Sequence, residues 1–154
     1  MPKLTRTSYV PRASTPLLDA MGRAINDLES KIAEKTEEER PEKVIMAVIT
    51  DGQENASREF RKDQVEKMIK ERTGKDGWQF VFLSADLAAI RDAMATGFHA
   101  DTVLVFNKTV AGTREAYSSL SKQMSGFRSG MKKKLEFDEE DRKSDADPLK
   151  KKPN

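Results

Sequence analysis

Asp51 is the residue in this sequence best placed to do chemistry. It ends the apolar run of "VIMAVITDGQENAS" (44–57), where a carboxylate, a glycine and several polar side chains follow six apolar residues. A carboxylate at a strand end suits a hard cation such as Mg²⁺, which takes one or two carboxylates together with hydroxyls and water. The same residues also fit a tight turn, with Gly52 at positive φ and Asp51 accepting backbone hydrogen bonds. Glu54 and Asn55 read as solvated loop, and a direct ligand role is their lesser reading. Ser84, Asp86 and Asp101 fall near the ends or starts of other apolar runs, and Asp86 is the expected N-cap of its helix. His99, in "TGFHAD", reads as a surface residue rather than a base.

The composition narrows the chemistry further. The 154 residues suit one domain, and 36% hydrophobic content supports a modest core. Charged residues make up 35%, which points to solvated helix faces and a charged tail. With 28 basic and 26 acidic residues the net charge is +2, so no sequence-wide field draws nucleic acid or anionic lipid. The chain contains no cysteine and one histidine, which excludes thiolate metal sites and argues against zinc. No run suits a signal peptide or a membrane span, so the expected setting is cytoplasmic. The sequence shows no nucleophile–base pair, Gly-x-Gly-x-x-Gly loop or Walker-type loop, and enzymatic activity is not expected.

Asp51 must be held by neighbouring elements, and the hydrophobic spacing predicts them. Residues 1–13 read as an irregular lead-in. "STPLLDAMGRAINDLESKIAEKT" predicts a helix capped by Ser14 or Thr15, with Pro16 in its first turn. Leu18, Met21, Ile25, Leu28 and Ile32 form its apolar face, and Gly22 permits close packing. Val44–Ile49 predicts a strand buried on both faces, as in parallel sheets. Ser57 caps an expected second helix to about Thr73, and Gly74–Gly77 makes a turn. A strand over 78–85 places Trp78, Phe80 and Phe82 in the core. A helix over 86–96 turns Leu87, Ile90 and Met94 inward. A strand over 102–106 and a helix from Gly112 to about Lys134 complete the series. Helices alternating with short strands, without hairpins, predict an α/β domain with a parallel sheet. Residues 14–131 form the expected domain, and 132–154 the expected disordered, charged tail.

"RASTPLLDA" followed by "VIMAVITDGQENAS" resembles the later half of a von Willebrand factor A (VWA) domain, in its bacterial and phage cytoplasmic form. The resemblance covers about residues 9–120. It implies a partial doubly wound, Rossmann-like VWA fold of about three parallel strands with flanking helices. It further implies that Thr15 and Asp51 occupy positions of the family's metal-ion-dependent adhesion site, with Mg²⁺ or Mn²⁺ as the cation. The family's first ligand motif, Asp-x-Ser-x-Ser, occurs nowhere in the 154 residues, and only three of the usual six strands are expected. The expectation is therefore an N-terminally truncated domain arising from a misplaced start, a split gene or a degenerate fragment. Its cation site would be weak, and the edge of strand 44–49 would be open to homo- or hetero-association.

The expected function is that of a VWA-type protein-binding module using an incomplete cation site, with a protein partner and neither nucleic acid nor membrane. Two alternatives stay open. One is a small Mg²⁺-dependent phosphoryl-handling or hydrolytic enzyme using Asp51. The other is a non-catalytic fragment that completes its sheet with a second chain.

Overall fold

The computed structural model describes residues 14–144 and 147–150; the expected lead-in over 1–13 lies outside them. Apolar spacing of three and four builds α1 (Leu17–Ala33), which buries Met21, Gly22 and Ile25 and packs Leu18, Leu28 and Ile32 against the same core. Glycine at 22 makes room for the loop before α2 (Lys62–Asp76), because a Cβ there would overlap the Phe60 ring. Three strands, β1 (Ile45–Thr50), β2 (Gln79–Ser84) and β3 (Val103–Val105), form a parallel sheet in the order β1-β2-β3. The helices α3 (Leu87–Met94) and α4 (Val110–Arg128) follow β2 and β3. The architecture is α/β, a three-stranded parallel sheet flanked by four helices, consistent with a partial Rossmann-like fold.

Side-chain alternation along the strands creates two cores. On one face Phe80, Phe82, Val103 and Val105 meet α1, α2 and α3, and Met46 and Val48 lie at the margin. On the other face Val81, Leu83 and Leu104 meet Ala116, Leu120 and Phe127 of α4. Trp78, Phe80 and Phe82 are buried as their spacing predicts.

Several boundaries and faces differ from the sequence-based expectation. Helix α2 begins at Lys62 rather than Ser57, because the backbone donors of residues 56–60 are taken by the carboxylates of Glu54 in the same loop and Asp19 of α1. It continues through Gly74 to Asp76 and stops where Gly77 takes φ +67° and Trp78 N–H donates to the Arg72 carbonyl. Strand β1 is half-buried rather than buried on both faces, since it has a neighbour on the β2 side alone among the described strands. In α3 the inward line is Ala89, Ile90 and Ala93, whose small side chains allow close approach to the sheet, while Leu87 and Met94 are exposed. Thr109 caps α4 by accepting from Gly112 N–H, so that helix starts at Val110 and ends at Arg128.

The tail differs most. Over its described part, 132–144 and 147–150, the segment expected to be disordered is docked. Leu135 and Phe137 are buried in the α4-side core. Leu135 N–H donates to Gln79 Oε1, and Phe137 N–H donates to the Asp101 carbonyl at 2.7 Å. Arg142 and Asp147 form a buried ion pair at 3.1 Å. High average charge hid two apolar anchors at alternating positions and a buried charge pair with further hydrogen bonds to the backbone. No helix among the described residues is long and apolar enough to cross a membrane.

Candidate cation and contact site at the sheet rim

In an open parallel sheet the strands' carboxyl ends form the natural ligand-binding rim. Asp51 sits at that rim on β1, Ser84 and Asp86 at the end of β2, and Asn107 and Lys108 after β3. The loop 51–60 crosses the rim and is fastened to the start of α1. Glu54 does most of the fastening: its carboxylate accepts from Leu18 N–H at 2.9 Å, Ala56 N–H at 3.0 Å, Ser57 N–H at 2.8 Å and the Ser57 hydroxyl at 2.8 Å. Ser57 Oγ in turn accepts from Asp19 N–H at 3.0 Å. Asp19 completes the clasp by accepting from Arg58, Glu59 and Phe60 N–H, each at 2.9 Å. Arg23 and Glu59 pair across the same junction.

These contacts settle how the helix is capped. A helix start leaves N–H groups without helical partners. Here they are met by Glu54 and Ser57, 36 and 38 residues downstream, and neither Ser14 nor Thr15 supplies a side-chain cap. Desolvation pushes the Glu54 carboxyl up. The donors of Ser57, Leu18 and Ala56 outweigh it and hold Glu54 below its ordinary range. Asp19 behaves alike: desolvation raises it, and the three loop amides with Arg23 bring it lower. A negative carboxylate at the positive end of a helix is favourable in its own right.

The Thr15 hydroxyl instead lies against Gly52. A Cβ on Gly52 would stand 2.9 Å from Thr15 Oγ1, so a larger residue there would have to turn the hydroxyl aside. The expectation of a positive φ at Gly52 is not met: the glycines with positive φ are 77, 97 and 130. Nor does Asp51 close the turn. The Thr50 hydroxyl does so, accepting from Gly52 N–H at 3.2 Å and donating to the Gly52 carbonyl at 3.0 Å. The Asp51 carboxylate is left 71% exposed, and Lys108 Nζ lies 3.1 Å from it. Lys108 was not singled out by sequence reasoning, and only the parallel order of β1, β2 and β3 brings its loop to Asp51.

The remaining candidates are structural. Asp86 caps α3 by accepting from Ala88 and Ala89 N–H and takes a further bond from Gln53 Nε2 at 3.2 Å. Those donors hold its carboxyl below the usual range, Ala89 most strongly. Ser84 is buried and its hydroxyl accepts from Asp86 N–H. Asn55 is not idle loop: its side chain accepts from Thr15 N–H at 2.8 Å and its N–H donates to the Thr15 carbonyl at 3.3 Å. That pair of bonds fixes Thr15 beside the Asp51 turn. His99 is exposed, and Asp101, also exposed, serves the tail through its carbonyl.

No group of three or more His, Cys, Asp or Glu residues suited to a metal occurs among the described residues. Of the two residues expected at a cation site, the Thr15 hydroxyl lies beside Gly52 and the Asp51 carboxylate lies beside Lys108. A cavity of about 330 Å³ lies at the opposite end of the sheet, between Trp78, Phe98 and Leu135, and contains neither Thr15 nor Asp51. Comparison with protein-family models, curated proteins and solved structures finds no match to this chain.

Proposed function

We propose that this chain is a protein-binding module of the VWA type whose contact face is the C-terminal rim of the sheet. In this reading Thr15 and Asp51 hold a weakly bound Mg²⁺ or Mn²⁺ that accepts a carboxylate from the partner. The supporting observation is the placement of the Thr15 hydroxyl against Gly52, while Glu54 and Ser57 take over the capping of α1. A hydroxyl committed to capping would not serve a cation; this one is positioned beside the Asp51 turn. The bound ion would supply a positive charge with open coordination positions, while the chain's own residues orient it and present it at an exposed rim.

Lys108 competes with the ion. Its ammonium neutralises Asp51 in an exposed pair, an interaction of at most about 1 kcal/mol that a divalent cation can displace. Calorimetry with Mg²⁺ and Mn²⁺ tests the proposal on three proteins: wild type, Asp51→Ala and Lys108→Met. The expected results are millimolar binding to wild type, loss in Asp51→Ala and tighter binding in Lys108→Met. Heat that is absent from wild type and Lys108→Met alike, or unchanged by Asp51→Ala, would remove the cation from the account.

The Asp51–Lys108 pair also supports a second reading, Mg²⁺-dependent phosphoryl handling, because a lysine beside the carboxylate suits a phosphate. That chemistry calls for a second acid, and Asp86 is engaged by α3 and Gln53. Asp51-dependent release of phosphate from a simple aryl phosphate would favour this reading, and its absence would disfavour it.

A further inference from the structure

The two edges of the sheet are treated differently. Backbone groups of successive strand residues point alternately to either side, so one residue in two addresses a given neighbour. On β3 the Phe106 N–H donates to the Ser84 carbonyl, which turns Leu104 inward and Val103 and Val105 outward. That outer edge is covered: Arg142 of the docked tail donates to the Val103 carbonyl at 3.0 Å and to the Ala100 carbonyl at 2.8 Å. On β1 the Val44 carbonyl accepts from Gln79 N–H, so Val44, Met46, Val48 and Thr50 address β2. The amides and carbonyls of Ile45, Ala47 and Ile49 then face the outer edge. Among the described strands none pairs with them. Residues 44–49 contain no charge and no proline, the usual devices that keep strand edges apart.

About Ala47 this edge pairs like with like at Ile45 and Ile49 and sets apolar against apolar at Met46 and Val48. Laid antiparallel about Ala47, Ile45 faces Ile49, Met46 faces Val48 and Val44 faces Thr50. At the flanks Lys43 faces Asp51, opposite in charge. Lys43 is anchored at the end of α4, with Nζ donating to the Phe127 carbonyl at 2.7 Å and the Arg128 carbonyl at 3.2 Å, and forms no ion pair among the described residues. The residues whose backbones face outward are also those paired in this register, 45 with 49 and 47 with 47, so each pair can exchange two hydrogen bonds. Their side chains lie on the α4 side of the sheet, where Ala47 and Ile49 are exposed and Ile45 lines an open groove with Met124 and Arg128.

We propose that β1 pairs with β1 of a second copy of this chain, antiparallel and centred on Ala47, joining two three-stranded sheets into one of six strands. The symmetry is that of an isologous dimer, with the same patch used on both copies. The pairing uses backbone groups and apolar side chains and does not rest on a cation at Thr15 and Asp51.

Sedimentation velocity on the full chain, across a concentration series, tests the proposal. Wild type sediments as a dimer, at twice the 17.3 kDa chain mass. Ala47→Pro removes an outward N–H at the symmetry centre, a place where an edge strand tolerates proline, and yields a monomer with unchanged far-ultraviolet circular dichroism. Asp51→Lys places like charges opposite Lys43 twice per dimer and raises the dissociation constant by about two- to thirty-fold. Lys43→Asp combined with Asp51→Lys restores opposite charges and recovers most of that loss. A monomeric wild type, or a dimer that persists in Ala47→Pro with its affinity unchanged, would overturn the proposal. A dimer lost in Ala47→Pro but indifferent to both charge variants would overturn the Ala47-centred register.

Discussion

At the scale of single residues, the rim is built by side chains whose importance lies in what they fasten. Glu54 has four donors, two of which tie the loop to α1 through Leu18 N–H and through the Ser57 hydroxyl that also receives Asp19 N–H. Glu54→Ala leaves these partly buried donors unsatisfied and is expected to cost about 2 kcal/mol, read as a lower urea midpoint at constant slope. The same carboxylates give the fold a defined acid response. Asp19 and Glu54 both titrate below their ordinary range when folded. Such groups bind protons more readily unfolded than folded, so their contribution is complete above the ordinary carboxylate range, from about pH 5–6 upward. It is lost as pH falls through their lowered values. Asp19→Asn with Glu54→Gln should therefore flatten the stability profile below about pH 4, measured by chemical denaturation across pH. Little of this was legible in the sequence. Asp51 and Asp86 announce themselves by standing next to apolar runs, whereas Glu54 and Asn55 look like any polar loop until the chain closes on residues forty positions away.

At the scale of elements, the alternation of helix and strand and the inward faces of α1 and β2 follow directly from hydrophobic period. Their boundaries follow less well, because tertiary contacts outcompete local signals. Ser57 is a good N-cap by type, yet it is recruited by Glu54 and Asp19, and α2 waits until Gln64 can accept from Arg61 N–H at 2.8 Å. Gly74 is a good breaker by type, yet the helix runs through it to Gly77. Gly22 shows the converse, a glycine inside a helix whose sequence context already suggests close packing. Gly22→Ala would force the Phe60 ring aside where α1 meets the loop before α2, with an expected loss of about 1–3 kcal/mol. Thermal unfolding checks this. A midpoint equal to or above wild type would mean that the ring moves without cost, as the better helix propensity of alanine then prevails.

At the scale of the whole molecule, three parallel strands become a working core because both faces and one edge are covered by the chain itself. The C-terminal segment is the unforeseen contributor: it fills the α4-side core with Leu135 and Phe137 and shields the β3 edge with Arg142. Average charge is a poor guide here, since two buried apolar side chains and an ion pair whose arginine also bonds the Val103 and Ala100 carbonyls help to hold a mostly polar segment. Leu135→Ala should destabilise the fold by about 2–5 kcal/mol and expose residues beyond Arg128 to limited proteolysis. A variant as stable and as resistant as wild type would show that the segment is not part of the core.

The central claim is that Thr15 and Asp51 form one cation site at the rim, and paramagnetic Mn²⁺ tests it most directly. Titrated into ¹⁵N-labelled protein, Mn²⁺ should broaden the amide signals of Thr15, Gly52 and Lys108 first, with the effect lost in Asp51→Ala. Broadening centred elsewhere, or retained in Asp51→Ala, would contradict the account.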